Sequence, residues 1–275
     1  MIEDLQIEKI VDIVHSASEE VLKIYNQASF KVETKKDNTP LTLADKVSQD
    51  IIIKGLKKHY PDIPIISEES EQAGFKTRES WDCFWLVDPL DGTKEFIKRN
   101  GEFTVNVALI YRNTPFLGVV SIPALKVIYF GQKEKGSFKK DLRSTEPIFA
   151  NKDFRQAITL VRSRSHASRK EEGAIASLGK IEQVCAGSSL KFCYVAEGKA
   201  DVYLRFSRTM EWDTAAGQCI AENAGGKVFD LQGNPLRYNK ESLYNSGFFC
   251  ISGLKEIEDR LKSYLKSDSG LSIKT

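Results

Sequence analysis

The chain has 275 residues, a formal net charge of +2, and 41% hydrophobic and 28% charged residues. That length allows one large domain or two small ones with a sizeable core, and the near-neutral balance argues against a binder of nucleic-acid polymers. No apolar stretch reaches the roughly 20 residues of a membrane span, and the start, Met1-Ile2-Glu3-Asp4, has no signal-peptide pattern.

Five cysteines, Cys83, Cys185, Cys193, Cys219 and Cys250, are odd in number and lack CxxC spacing. They read as mostly buried free thiols in a reducing cytoplasm, not as a structural zinc site. Ile7, Ile10, Val11, Val14, Ala17, Val21, Leu22 and Tyr25 recur at helical spacing and predict a long amphipathic helix. Residues 31–40 are polar and read as a loop, with Lys35 and Lys36 as solvated charges. Thr42-Leu43-Ala44-Asp45 opens a second helix to about His59, which Pro61 and Pro64 end. Residues 65–67 form a short strand that delivers Glu68 and Glu69. Residues 83–87 read as a buried strand that should stop at Pro89, because proline cannot donate to a sheet ladder. Thr93 starts a short helix. Alternation from Phe103 to Phe130 predicts antiparallel strands, whereas residues 139–147 read as a charged loop.

The second half alternates. Strands are expected at 158–161, 181–185, 201–204, 227–229 and 248–252. Helices are expected at 167–178, 188–197, 214–223 and 254–266, with the tail from Ser267 frayed. A boundary near residue 150 would divide an α+β unit, 1–150, from an α/β unit, 151–275. Trp81, Trp85 and Trp212 read as core rather than stacking platforms.

Three acidic clusters stand out. Asp88-Pro89-Leu90-Asp91-Gly92-Thr93 places two carboxylates on the bend between a strand and a helix. Free N–H groups of Gly92 and Thr93 would make that bend an anion cradle. The bland alternative is an Asx-turn with Asp91 as a helix cap. A haloacid-dehalogenase reading is weaker, since that motif spaces its aspartates two apart. Glu68-Glu69 also follows an apolar strand, so it could share a sheet edge with Asp88. Asp213 stands before Thr214-Ala215-Ala216-Gly217, where small residues would let a helix approach closely. So many carboxylates in one pocket need cations, and two or three Mg²⁺ ions would answer that need.

The stretches Trp85-Leu86-Val87-Asp88-Pro89-Leu90-Asp91-Gly92-Thr93-Lys94-Glu95-Phe96 and Trp212-Asp213-Thr214-Ala215-Ala216-Gly217, with Ala224-Gly225-Gly226 behind, resemble the paired signatures of the inositol-monophosphatase superfamily. Its members are lithium-sensitive, Mg²⁺-dependent phosphomonoesterases. Four more stretches are similar to its bacterial 3′(2′),5′-bisphosphate nucleotidase branch. They are residues 98–104, Ser163-Arg164-Ser165-His166, Gly187-Ser188-Ser189-Leu190-Lys191-Phe192-Cys193, and residues 195–201. The resemblance runs from about Asp37 to about Phe248; Glu211, before the tryptophan, departs from it at a loose position.

The resemblance implies a layered αβαβα sandwich of the α+β class, with an antiparallel sheet in the first half and a mixed one in the second. It implies that Glu68, Asp88 and the Leu90 carbonyl hold one Mg²⁺, and that Asp88, Asp91 and Asp213 hold another. Glu69 would support them from behind. Asp45 and Thr93 would activate water. Gly92, Thr93 and the start of the Thr214 helix would hold the phosphate, and Ser188, Ser189, Lys191, Arg205 and His166 the rest of a nucleotide. The implied reaction is 3′-phosphate removal from adenosine 3′,5′-bisphosphate, with its sulfated form a further substrate, in sulfate assimilation. The partner is thus a small nucleotide, and the chain a cytoplasmic monomer or homodimer. Two alternatives stay open: an inositol phosphate or fructose-1,6-bisphosphate phosphatase of the same superfamily, and a regulatory binding protein that no longer turns over.

Overall fold

In the computed structural model, residues 5–29, 32–34, 40–153, 156–163 and 169–271 are described. The predicted first helix is α1, Ile7–Tyr25, with Ile10, Val14, Ala17 and Val21 fully buried on one stripe. The stretch expected as a loop instead contributes two short strands, β1 (Val32–Thr34) and β2 (Pro40–Thr42), paired antiparallel. Residues 35–39, with Lys35 and Lys36, lie outside the described residues. Thr42 then caps α2 (Leu43–His59) in a capping box with Asp45.

A seven-stranded sheet follows. Its strands are β3 (Ile65–Ser67), β4 (Cys83–Asp91), β5 (Thr104–Tyr111), β6 (Thr114–Ile122), β7 (Val127–Gln132), β8 (Gly136–Lys140) and β9 (Thr145–Ile148). Two short helices, α3 (Phe75–Arg78) and α4 (Thr93–Ile97), flank β4. Only β3 and β4 pair parallel; every later pair is antiparallel. Two expectations need correction. The charged stretch 139–147 carries the end of β8 and most of β9, a hairpin whose polar residues and exposed second strand hid it. β4 does not stop at Pro89 but runs to Asp91 through a bulge, where Pro89 and Leu90 oppose the single Val105. A bulge leaves a residue out of the ladder, so it accommodates proline.

The second half begins with β10 (Ile158–Arg162), α5 (Arg169–Ser177), β11 (Ile181–Cys185), α6 (Leu190–Ala196) and β12 (Val202–Arg205). It ends with β13 (Thr209–Met210), α7 (Ala215–Asn223), β14 (Lys227–Asp230), β15 (Tyr244–Asn245), β16 (Phe248–Ile251) and α8 (Lys255–Leu271), which runs past the expected fraying point. Five strands form a mixed sheet in the order β11-β10-β12-β16-β14. β13 and β15, too short to show a pattern in sequence, pair with each other.

Strand alternation sorts the side chains into layers. Trp85 and Val87 pack with α1 and α2; Phe84 and Leu86 share a cluster with α6, α7 and inward residues of the second sheet such as Tyr203 and Phe248. Phe249 and Ile251 pack outward against α5 and α8. The order is therefore αβαβα, with α6 and α7 between the sheets. Trp85 and Trp212 are buried, and Trp81 packs against the central cluster. The cysteines are free; Cys193, Cys219 and Cys250 are buried and Cys185 is exposed.

The small residues of α7 make this middle layer possible. A Cβ on Gly118 of β6 would stand 2.5 Å from the Ala216 carbonyl oxygen, and one on Gly217 would stand 2.5 Å from the Phe192 ring. Alanine is better than glycine in a helix by about 1 kcal/mol, whereas overpacking a full core costs about 1–3 kcal/mol. Gly217→Ala is therefore expected to lower the unfolding free energy in chemical denaturation. A gain in stability would mean that Phe192 swings aside and that the contact does not set the α6–α7 spacing.

Candidate active site

Parallel pairing of β3 with β4 sets Ser67 beside Val87, and the Glu68 N–H continues the ladder to the Val87 carbonyl at 3.1 Å. Glu68 and Asp88 therefore leave the same sheet edge side by side. Asp88 is buried and accepts the Leu90 N–H at 3.0 Å, an Asx-turn. The helix cap after it is Gly92, at φ +87°, not Asp91. A Cβ at Gly92 would also fall 2.0 Å from the Ser188 hydroxyl, so both conformation and space require glycine.

Asp91 points away from its own helix. Its Oδ2 lies 3.0 Å from the Ser189 hydroxyl and 3.4 Å from that of Thr104. Asp213 does not cap α7 either; its Oδ2 accepts the Met210 N–H at 2.8 Å. Burial first, and then the charges of Glu68, Asp91 and Asp213, push the Asp88 carboxyl well above its ordinary pKa. Burial, with Asp91 next, does the same to Asp213. Burial also raises Asp91, though Lys191 and the Ser189 hydroxyl pull it back. Four carboxyl groups thus feel one another, with Asp88 buried and Glu68, Asp91 and Asp213 half-buried around it. As the side chains stand, no three Asp, Glu, His or Cys among the described residues form a ready-made ion cage.

The expected water-activating pair is in reach. Thr42 donates its N–H and its hydroxyl to Asp45 Oδ2, both at 2.7 Å. Asp45 Oδ1 and the Leu90 carbonyl each lie 3.4 Å from the Thr93 hydroxyl. Ser48 on α2 donates to the Pro89 carbonyl at 2.7 Å, so one helix holds both the bulge and Asp45. The Glu69 carbonyl accepts from Gln49 of the same helix at 3.0 Å.

A cleft of about 430 Å³ opens beside these groups. Asp91, Gly92 and Asp213 line one part; Ser188, Lys191 and Arg205 line another, with Tyr203 and Phe248 between the layers. Lys191 is not the solvated helix charge that a bland reading allows. It is 4% exposed and donates to the Ser188 carbonyl at 2.7 Å. Desolvation lowers its pKa to about 8, against the pull of Asp91. Arg205 ends β12 with its buried Nε unpartnered among the described residues. Ser189 is buried and does not line the cleft, and His166 lies outside the described residues.

Two features were missed in the sequence. Asn106 interrupts β5, whose residues from Thr104 to Ile110 are all buried; a lone amide in a dry strand was the available signal. It donates to Ser189 at 2.9 Å, and its Oδ1 has no partner. Glu211 is fully buried: it pairs with Lys240 Nζ at 2.6 Å and accepts the N–H groups of Asn239 and Lys240. Arg78 donates to Asn239 and to the Glu241 carbonyl, tying α3 to the turn that carries Asp213.

The chain matches the inositol monophosphatase family over residues 5–265. It is 43% identical to the 3′(2′),5′-bisphosphate nucleotidase CysQ of Escherichia coli K12 over 244 residues, which is 88% of this chain and 98% of that protein. It is equally identical to the CysQ of Buchnera aphidicola, over 89% of this chain and 92% of that one. A crystal structure of CysQ from Bacteroides thetaiotaomicron superposes with a TM-score of 0.81 at 41% identity, covering 90% of this chain and 97% of that one. The suppressor protein SuhB of Bartonella henselae shares the fold, with a TM-score of 0.76 at 22% identity. Paired acidic signatures on a five-layered sandwich, matched along nearly the whole chain, make this protein a member of the inositol monophosphatase family.

Proposed function

We propose that this protein is a divalent-metal-dependent phosphomonoesterase that removes the 3′-phosphate of adenosine 3′,5′-bisphosphate to give AMP. The observation that carries the reading is one cleft whose wall holds both carboxylates, Asp91 and Asp213, and cations, Lys191 and Arg205. A substrate with two phosphates would meet hydrolytic machinery at one and a charge-assisted anchor at the other. The names of the CysQ relatives support the same substrate class.

The donor set fits hard cations. The mutual repulsion of Glu68, Asp88, Asp91 and Asp213 around one site is what a divalent ion would offset. Glu68, Asp88, the Leu90 carbonyl, Asp91 and Asp213 would hold two or three Mg²⁺. Bound there, the ions would supply Lewis acidity to the phosphate and to water. Asp45, fixed by both donors of Thr42, would take a proton through the Thr93 hydroxyl as the water oxygen bonds to phosphorus and the ester P–O bond breaks. Their 3.4 Å separation is of the kind that tightens once substrate is bound. Gly92, Thr93 and the start of α7 would hold the phosphate oxygens.

Phosphate release across adenosine 3′,5′-bisphosphate, inositol 1-phosphate and fructose 1,6-bisphosphate tests the assignment. The nucleotide is expected to have the highest kcat/KM, and a chelator is expected to abolish release. A preference for either sugar phosphate would overturn the substrate, and turnover in excess chelator would overturn the metal.

Thr93→Ala and Asp45→Asn are each expected to lower kcat by a factor on the order of 10²–10⁴ with little change in KM. The double variant should be scarcely worse than either single one, because a shared proton path is lost only once. Additive losses would separate the two residues.

Lys191→Ala should cost about 1.5–3 kcal/mol in kcat/KM for the bisphosphate, the worth of a hydrogen bond to a charged group. It should cost almost nothing for p-nitrophenyl phosphate. Equal losses on the two substrates would make Lys191 a support of the Ser188 turn and not an anchor.

A further inference from the structure

We infer that Ser189 is a positioning residue that latches Asp91 to Asp213, and is not a contact for the far phosphate of the substrate. The inference rests on the hydrolytic reading above only in taking those two carboxylates to serve one reaction. Ser189 is 2% exposed and absent from the cleft wall, although Ser188 and Lys191 on either side of it are on that wall. Its hydroxyl lies 3.0 Å from Asp91 Oδ2 and 2.9 Å from the Asp213 carbonyl oxygen, and it accepts the Asn106 amide at 2.9 Å.

These partners come from separate parts of the fold. Asp91 ends the bulged β4, Asn106 lies on the neighbouring β5, and Asp213 stands between β13 and α7 in the second half. No sheet ladder joins the first pair to the third, because β4 and β5 belong to the seven-stranded sheet and β13 pairs only with β15. The Ser189 oxygen does join them. A hydroxyl has one proton to give, so the Asp91 carboxylate and the Asp213 carbonyl share it in a three-centre bond while Asn106 fills a lone pair. The latch ties the Asp91 carboxylate to the backbone of Asp213, so the two residues enter the site from one framework. Removing the hydroxyl also strands the buried Asn106 amide, which binds the latch to β5.

The test compares wild type with Ser189→Ala and with Asn106→Ala, which removes the latch's support from a residue outside the cleft wall. Thermal melting establishes that each variant is folded. The latch predicts that kcat/KM falls by a similar factor, about ten- to a hundredfold, for adenosine 3′,5′-bisphosphate and for p-nitrophenyl phosphate. It also predicts weaker Mg²⁺ binding by calorimetry without substrate, by about tenfold or more. A loss confined to the bisphosphate would make Ser189 a substrate contact and overturn the inference, as would no loss on either substrate. If Ser189→Ala does not fold, Asn106→Ala and the volume-conserving Ser189→Cys carry the same expectations. Should wild type hydrolyse neither compound, the proposed function fails. Calorimetry then decides the latch alone, and unchanged Mg²⁺ affinity in the variants refutes it.

Discussion

Carboxylates gathered at one site are the constraint on which this structure depends. Burial raises Asp88, Asp91 and Asp213 above the ordinary carboxylate range; neighbouring carboxylates add to the rise at Asp88 and Asp213, while Lys191 and the Ser189 hydroxyl pull Asp91 back. Left to itself, such a group would protonate or spread apart. Every local device nearby works against spreading. The Leu90 N–H holds Asp88, Ser189 holds Asp91, and the Met210 N–H holds Asp213. Strain of this kind in a folded protein is a mark of function, since a protein selected for stability alone would replace the carboxylates.

The layers exist to bring those carboxylates together. Glu68, Asp88 and Asp91 come from one sheet, and Asp213 comes from the start of α7 in the middle layer. Only a thin middle layer can join them, and Ala215, Ala216 and Gly217 keep it thin. The turn before α7 is then fixed by the buried Glu211, which pairs with the half-exposed Lys240, and Arg78 reaches the same 239–241 loop from the first half. A buried carboxylate held by a cation and two N–H groups defines one geometry well. That suits a turn whose next residues are Trp212 and Asp213.

The cleft mixes charges of both signs: Asp91 and Asp213 share its wall with Lys191 and Arg205. Lys191 is buried against the Tyr203 ring, with its ammonium 5.1 Å from the ring centre. A cation so placed is already desolvated, so an incoming anion need not strip much water from it.

Local order alone determined a good deal. The long helices, the strands beside Glu68 and Asp88, the free cysteines and the acidic hexapeptide all follow from periodicity, turn residues and spacing over a few positions. That Asp45 opens α2 was likewise legible, because a capping box is a contact between residues three apart. Tertiary structure decided the rest, for reasons of distance. Pro89 fits inside β4 only because β5 faces it with one residue where β4 has two. β8 and β9 are strands because β8 pairs with β7 and β9 pairs with β8, not because their side chains alternate. Lys191 and Ser189, both read as surface substrate contacts, are buried; Asn106, Asp91 and Asp213 meet Ser189 across 24 to 98 positions of sequence. A side chain's chemistry can be read from its type, but burial and partners belong to the whole chain, and here they place Lys191 on the cleft wall and Ser189 behind it.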